Sequence, residues 1–206
     1  MRRVDRRAVA VAGHTGDVDS VREAIGDPDP QVRATALGAL DRLGELPAHT
    51  LVDAVADPSA VVRRRAAALA ATRADVDLTP MLSDVDPSVV EVAAWACGEQ
   101  SEHHRVPDAT IDVLRALTTG DGPGSEPLVR ESAVAALGAI GDRRALAEIL
   151  TATTDKPAIR RRAVLALAPF LDGPSGEPDP DVSAALDRAL TDRDWQVRQA
   201  AEDLRA

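Results

Sequence analysis

The chain has 206 residues, of which 45% are hydrophobic but only 1% aromatic. It is long enough to bury a core, and that core must consist of small aliphatic side chains between closely packed elements. The formal net charge of −10 disfavours nucleic acid and anionic membranes as partners. The single cysteine, Cys97, excludes an intrachain disulfide, and no apolar run is long enough to cross a membrane.

The charged residues are strongly biased in type. Aspartate is the commonest acid, and Lys156 is the only lysine. Such a surface suits a protein that must stay hydrated in concentrated salt, whereas a GC-rich genome, which favours arginine, alanine and aspartate codons, is the alternative explanation. We expect salt adaptation, because codon usage alone does not account for the acidity. The short, charged N-terminus does not resemble a secretion signal, so we expect a cytoplasmic protein.

The first 16 residues predict a capping helix. Val4 and Ala8 fit the frame of a motif that recurs later in the chain, and Gly13 and Gly16 match glycines that follow the fourth full copy of that motif. Residues 1–16 are therefore predicted to be the second helix of a truncated first repeat.

From Asp27 onward, a motif recurs at intervals of about 30 residues, which is the size of a helix–turn–helix repeat. Its first copy reads Asp-Pro-Asp-Pro-Gln-Val-Arg-Ala-Thr-Ala-Leu. Each copy has a β-branched anchor with an alanine four residues later. The anchors are Val32, Val62, Val89, Val129, Ile159 and Val197. Proline two residues before an anchor, and aspartate or serine one residue earlier, are signals of a helix start.

Apolar residues at spacings of three and four precede each anchor and predict the first helix of each pair. In the third pair these residues are Leu78, Met81 and Leu82. No pair can bury its apolar stripe alone, so the pairs must stack. We predict an all-α fold, a right-handed α-solenoid of about six helix pairs plus the N-terminal capping helix. The predicted repeats cover residues 17–45, 46–74, 75–104, 105–141, 142–173 and 174–206.

The phrase Asp-Pro-x-x-x-Val-Arg-x-x-Ala resembles the HEAT-like repeat found in phycobilin lyase subunits and in many scaffold proteins, and the resemblance covers nearly the whole chain. It implies a ladder of aspartate–arginine pairs between neighbouring turns; the third unit has Val90 where the others have arginine. The family includes enzymes, adaptors and chaperones, so the fold does not decide the function. The residues assigned to the ladder are Asp27, Arg33, Asp57, Arg63, Asp84, Arg130, Arg160, Asp192 and Arg198.

The second helices of such repeats usually line the concave side of the solenoid, and positions two and six after each anchor are expected to face outward there. The predicted partner-binding residues are Arg64, Glu91, Trp95, Glu131, Arg161 and Leu165. Their charges alternate in sign, which suits a polar protein partner and not nucleic acid. Two positions remain open for Trp95, either exposed as an interface anchor or folded back to fill the core.

Other residues that can carry chemistry do not form a recognisable site. Cys97 falls at a core position, and Trp195 is expected to cover the C-terminal edge of the core. The histidines, which lack the repeated His-Glu pairs of HEAT-like di-iron hydroxylases, are His14, His49, His103 and His104. We therefore predict no catalytic residues, no metal and no cofactor.

The predicted function is a monomeric, non-enzymatic scaffold or adaptor for another protein. The resemblance leaves two alternatives, a bilin lyase or chromophore chaperone and a DNA-binding protein similar to HEAT-like alkylation-repair glycosylases. The first alternative is disfavoured because the chain has only three aromatic residues, and the second is disfavoured by the acidic net charge.

Overall fold

The computed structural model describes residues 5–73 and 75–205, so the expected anchor Val4 lies outside the described residues. These residues form twelve α-helices with short 3-10 turns and one isolated bridge between Asp172 and Pro178. No helix among them is both long and apolar enough to span a membrane. The helices are α1 (Arg6–Thr15), α2 (Val18–Glu23), α3 (Pro30–Arg42), α4 (Ala48–Ala54), α5 (Ala60–Ala70), α6 (Pro87–Gln100), α7 (Asp108–Leu117), α8 (Pro127–Ile140), α9 (Leu146–Ala152), α10 (Pro157–Ala166), α11 (Pro180–Ala189) and α12 (Trp195–Arg205).

The anchor-bearing helices stack into one continuous layer. Helices α1, α3, α5, α6, α8, α10 and α12 each contact the next in this order, and we call this layer the B row. The shorter helices α2, α4, α7, α9 and α11 precede their partners in the B row and cover its other side. Since the described residues form stacked helix pairs, the predicted all-α solenoid is confirmed.

The starts of the B-row helices follow the local rules of helix capping. Asp29 and Asp86 accept hydrogen bonds from the backbone N–H groups of Gln31 and Ser88, at 2.9 Å each, and proline follows each cap directly. Ser59 makes no such side-chain bond. Local sequence therefore determines where most of these helices begin.

The core lies between the B row and the shorter helices. All six predicted anchors are buried, and so are the alanines four residues after them, which are Ala36, Ala66, Ala93, Ala133, Ala163 and Ala201. The exception to the frame is Ala8, which is exposed, because α1 meets only one other B-row helix, α3, among the described residues.

Neighbouring B-row helices approach each other through glycine and alanine. A Cβ atom added to Gly138 would lie 2.5 Å from the Cβ of Ala166 and 2.6 Å from its Cα, and one added to Gly98 would lie 2.9 Å from the Cα of Ala136. Backbones this close leave no room for large side chains between them, which explains why the core needs so few aromatic residues.

The third repeat departs from the predicted pair. Its first helix, expected from Leu78, Met81 and Leu82, is only a 3-10 turn at Thr79–Ser83, because a segment this short does not sustain an α-helix. The segment that precedes this turn is bound by Gln100, a residue of the partner helix α6. Its side-chain amide is buried and donates to the carbonyls of Ala70, Arg73 and Val76 at 2.9–3.1 Å.

Candidate interaction surface on the B row

Four of the five arginines that follow the anchors bind carboxylates of the next repeat. Arg63 donates through Nε and Nη2 to the two carboxylate oxygens of Asp84, at 2.6 and 2.7 Å, and its Nη1 donates to the carbonyl of Asp57. The same two-pronged contact joins the other three pairs, which are Arg33–Asp57, Arg130–Asp155 and Arg160–Asp192. These side chains are mostly buried, so they tie repeats together and are not free to bind a ligand.

The ladder differs from the predicted set at three points. Asp155 was not assigned to it, because it stands four residues before its anchor and the other aspartates stand five before theirs. Asp27 accepts a bond from the backbone N–H of Asp29, and no arginine pairs with its carboxylate among the described residues. Arg198 donates only to the carbonyls of Asp192 and Arg193.

The ladder also sets the acidity of its carboxylates. The hydrogen bond from Arg63 holds the pKa of Asp84 below its usual value, and the bond from Arg160 does the same for the pKa of Asp192. In each case the charged form is favoured despite partial burial, because the guanidinium binds only the ionised carboxylate well. These aspartates are therefore ionised at neutral pH.

The first open cavity on the B row lies between α1, α3 and α5 and has a volume of about 670 Å³. Four arginines line it, Arg6, Arg42, Arg64 and Arg65, and we call it the arginine groove. Its small lining residues include Ala34, Gly38 and Ala68. Asp86, the one carboxylate of the lining, is occupied in capping α6.

None of these four arginines has a carboxylate within 4.0 Å among the described residues. The chain has 34 acidic residues against 24 basic ones, so carboxylates are plentiful elsewhere. The four unpaired arginines therefore place positive charge on this part of the surface, where it can attract an anionic group.

The second cavity lies between α6, α8 and α10 and has a volume of about 440 Å³. We call it the tryptophan groove. Trp95 is 43% exposed there and Leu128 is 60% exposed, so Trp95 lies on the surface and does not fill the core. The charged residues of its lining are Glu91, Glu99, Glu131 and Arg162. Arg162 lies 3.7 Å from Glu131, which leaves this groove with an excess of negative charge.

The six predicted partner-binding residues are divided by the structure. Arg64 lines the arginine groove, and Glu91, Trp95 and Glu131 line the tryptophan groove. Arg161 is exposed and Leu165 packs partly against the core, and neither lines a groove.

Sequence reasoning missed several residues of the two grooves, notably Arg65 and Arg162. Both stand three residues after their anchors, Val62 and Ile159. Arg65 lies against Gly38 and Arg162 lies near Glu131, each on the preceding B-row helix. Counting position three of each second helix, and not only positions two and six, is the signal that would have found them.

Cys97 and the residue types that bind metals form no reactive or metal-binding site among the described residues. Cys97 is buried, and burial raises the pKa of its thiol to about 12, so the thiol is protonated at neutral pH. Among residues 5–73 and 75–205, no three histidine, cysteine or acidic side chains are grouped as metal ligands would be. Trp195 does not cover the core as expected. It is 65% exposed at the first position of α12, because the buried face of that helix begins at Val197.

Comparison with solved structures shows the fold. The chain is similar to a designed armadillo repeat protein, with a TM-score of 0.65 and 18% identity over 91% of this chain and 98% of that one. It is also similar to an engineered protein solved by the Northeast Structural Genomics Consortium, with a TM-score of 0.60 and 18% identity over 99% of this chain and 62% of that one. No curated protein matches the chain.

The family model described as HEAT repeats matches residues 2–72, 74–168 and 123–205. These three segments, of which the last two overlap, include all the B-row helices and the ladder that joins them. The match agrees with the stacked pairs, the buried anchors and the arginine–aspartate contacts described above, and the chain therefore belongs to the HEAT repeat family.

Proposed function

We propose that this chain is a monomeric, non-enzymatic scaffold that binds another protein through the exposed side of its B row. The observation that carries this proposal is Trp95. The chain has only three aromatic residues, and Trp95 is the one that lines a groove, together with the exposed Leu128.

The surroundings of Trp95 fit a protein interface. A large apolar side chain in a groove, ringed by charged groups, is the usual form of a residue that dominates binding energy, because the partner buries it and the ring excludes water. Glu91, Glu99 and Glu131 supply that ring. Ala135 and Ala136 also line the groove, and their small side chains leave space for a side chain of the partner.

A pull-down from the source organism's lysate tests this proposal. Immobilised wild-type chain and the double variant Trp95→Ala/Leu128→Ala are compared at the same salt concentration, with captured proteins identified by mass spectrometry. We expect one or more proteins to be retained by the wild type and lost from the double variant, because both exposed apolar groups of the groove are removed.

The matched control is Trp195→Ala. Trp195 is even more exposed than Trp95 and lies outside both grooves, so its loss should leave capture unchanged. Circular dichroism checks that all variants keep their helix content. If the Trp95→Ala/Leu128→Ala variant captures the same proteins as the wild type, the groove is not the binding site.

The bilin-lyase alternative finds little support on this surface. A bilin carries propionate carboxylates. Among the described residues, the groove that contains Trp95 is lined by three glutamates, which repel such groups. The absence of a visible absorbance change on titration with a bilin would exclude it.

A further inference from the structure

We infer that the B row selects a peptide segment of divided charge, with carboxylate side chains in the arginine groove and a basic, apolar stretch in the tryptophan groove. This inference rests on the proposed function, because it names the kind of partner that the same surface takes. It depends on two observations. Two of the arginines lie against glycines of the preceding helix, and the charge of the groove lining changes from positive to negative along the B row.

Two of the four arginines are held against glycines of the preceding helix. A Cβ atom added to Gly38 would lie 2.0 Å from Nη2 of Arg65 and 2.8 Å from its Cζ, and one added to Gly13 would lie 3.1 Å from Nη2 of Arg42. The two guanidinium groups therefore lie over the helix before their own, and a Cβ at Gly38 would displace that of Arg65. Both arginines are exposed, so an anion in the groove can reach them.

Carboxylates are the groups that fit this arrangement. A guanidinium presents paired N–H donors at the spacing of two carboxylate oxygens, as it does within this chain between Arg63 and Asp84. Arg42, Arg64 and Arg65 are exposed and have no such partner among the described residues, so they are available to the carboxylates of a ligand.

The charge of the row reverses at α6. Helix α6 contributes Val92 to the lining of the arginine groove, and it contributes Glu91, Trp95 and Glu99 to the tryptophan groove. A nucleic acid carries the same negative charge along its whole length, so a strand attracted by the arginines would meet three glutamates one helix later. A polypeptide can change its charge from one residue to the next, and it is the polymer that matches both grooves.

The spacing of the helices sets the length of the ligand. The arginines that carry the inference lie on α3 and α5, and Trp95 and Leu128 lie on α6 and α8. The midpoints of these two helix pairs are two helix spacings apart, and packed helices are about 8–10 Å apart, which gives roughly 16–20 Å between the two binding regions. An extended chain advances about 3.3 Å per residue. We therefore expect about five or six residues between the middle of the acidic stretch and the middle of the basic, apolar one.

Selection from a displayed library tests the inference without a known partner. A library of random 16-residue peptides is selected on the immobilised full chain, and the enriched peptides are sequenced. We expect a cluster of aspartate or glutamate separated by about five or six residues from a stretch that combines arginine or lysine with leucine or another apolar residue. Enrichment of uniformly charged peptides, or no enrichment over the immobilisation surface alone, would overturn the inference.

Variants then test each groove with the enriched consensus peptide by fluorescence anisotropy. Arg65→Glu should weaken binding by about tenfold or more, because it removes a charged hydrogen bond and adds repulsion. Gly38→Ala should also weaken binding, although every charge is retained, because its Cβ displaces the guanidinium of Arg65. Arg188→Glu is the control; it makes the same change of charge on an exposed arginine of α11, outside both grooves, and should leave affinity within a factor of about two.

Two results separate this inference from the proposed function. If Trp95→Ala/Leu128→Ala abolishes capture of the natural partner while Arg65→Glu and Gly38→Ala bind it as the wild type does, the scaffold stands and the divided groove is wrong. If a single-stranded oligonucleotide of 15 bases binds more tightly than the consensus peptide and shows a steep salt dependence, the arginine groove is a nucleic-acid site and the inference fails.

Discussion

Three consecutive arginines show how position alone separates structural from binding roles. Arg63 is paired with Asp84, whereas Arg64 and Arg65 line the arginine groove, with Arg65 lying against Gly38. Successive helical residues point about 100° apart, so the triplet does not act as one basic patch.

Removing one rung of the ladder should cost stability. Arg63→Ala leaves the mostly buried carboxylate of Asp84 without its partner and the carbonyls of Asp57 and Pro58 without a donor. We expect the free energy of unfolding to fall by about 1–3 kcal/mol, measured by urea denaturation at pH 7. The adjacent Arg64→Ala is the control and should change it by less than about 0.5 kcal/mol. Equal losses in both variants would mean that the rung contributes nothing specific.

At the scale of the helix, stacking depends on a few glycines where helices touch. Gly98 and Gly138 allow backbone contact with the next B-row helix, and Gly38 gives room to an arginine. A side chain at the first two positions meets backbone atoms that cannot move away, whereas one at Gly38 meets the end of a flexible side chain. The same residue type therefore allows helices to touch in one place and gives room to an exposed arginine side chain in another.

Gly138→Ala should weaken the contact between α8 and α10. Its Cβ would lie 2.5–2.6 Å from Ala166, so the helices must separate, and overpacking of this kind costs about 1–3 kcal/mol. Thermal and urea unfolding measure the loss. Gly26→Ala is the control, because a Cβ there meets no atom within 4 Å; a loss of stability at Gly26 as large as that at Gly138 would contradict the packing argument.

For the whole molecule, the ladder predicts a loss of stability in acid. Because the pKa of Asp84 and that of Asp192 are lowered in the folded state, the unfolded chain binds more protons near pH 3 and stability rises with pH there. The contribution of the ladder is complete above the unfolded pKa of about 3.9 and is lost as the pH falls through the lowered values. Urea denaturation between pH 7 and pH 2, at one fixed high salt concentration that screens exposed charges, should show this decline.

The Arg63→Ala variant checks the cause of that decline. Without Arg63, the pKa of Asp84 loses its main lowering influence, so the stability of the variant should fall less steeply below about pH 4 than that of the wild type. Parallel curves for the two proteins would show that the acid sensitivity arises elsewhere.

The excess of negative charge predicts a response to salt. With a net charge of −10, self-repulsion opposes the compact state, and added ions screen it. We propose that the surface is adapted to concentrated salt, and we expect the melting temperature to rise strongly with potassium chloride into the molar range. A melting temperature that does not change with salt would favour genome composition as the reason for the acidity.

The sequence by itself determined the helix pairs, their order and most of the buried positions. These follow from short-range rules, since an anchor such as Val62, its alanine at Ala66 and a cap such as Asp86 act within one or two turns of chain. The third repeat was mispredicted because its helical pattern is too short to sustain an α-helix, and the side chain of Gln100 binds backbone carbonyls of the segment before it.

Only the tertiary structure decided where the long side chains of the B row lie. Arg65 reaches Gly38 and Arg130 reaches Asp155 across more than twenty residues of sequence, so their partners depend on which helices become neighbours and in what register. The division into an arginine groove and a tryptophan groove has the same origin. The six candidate residues were chosen one helix at a time, whereas a groove forms between helices, and its charge is the sum of side chains that meet only when the repeats are stacked.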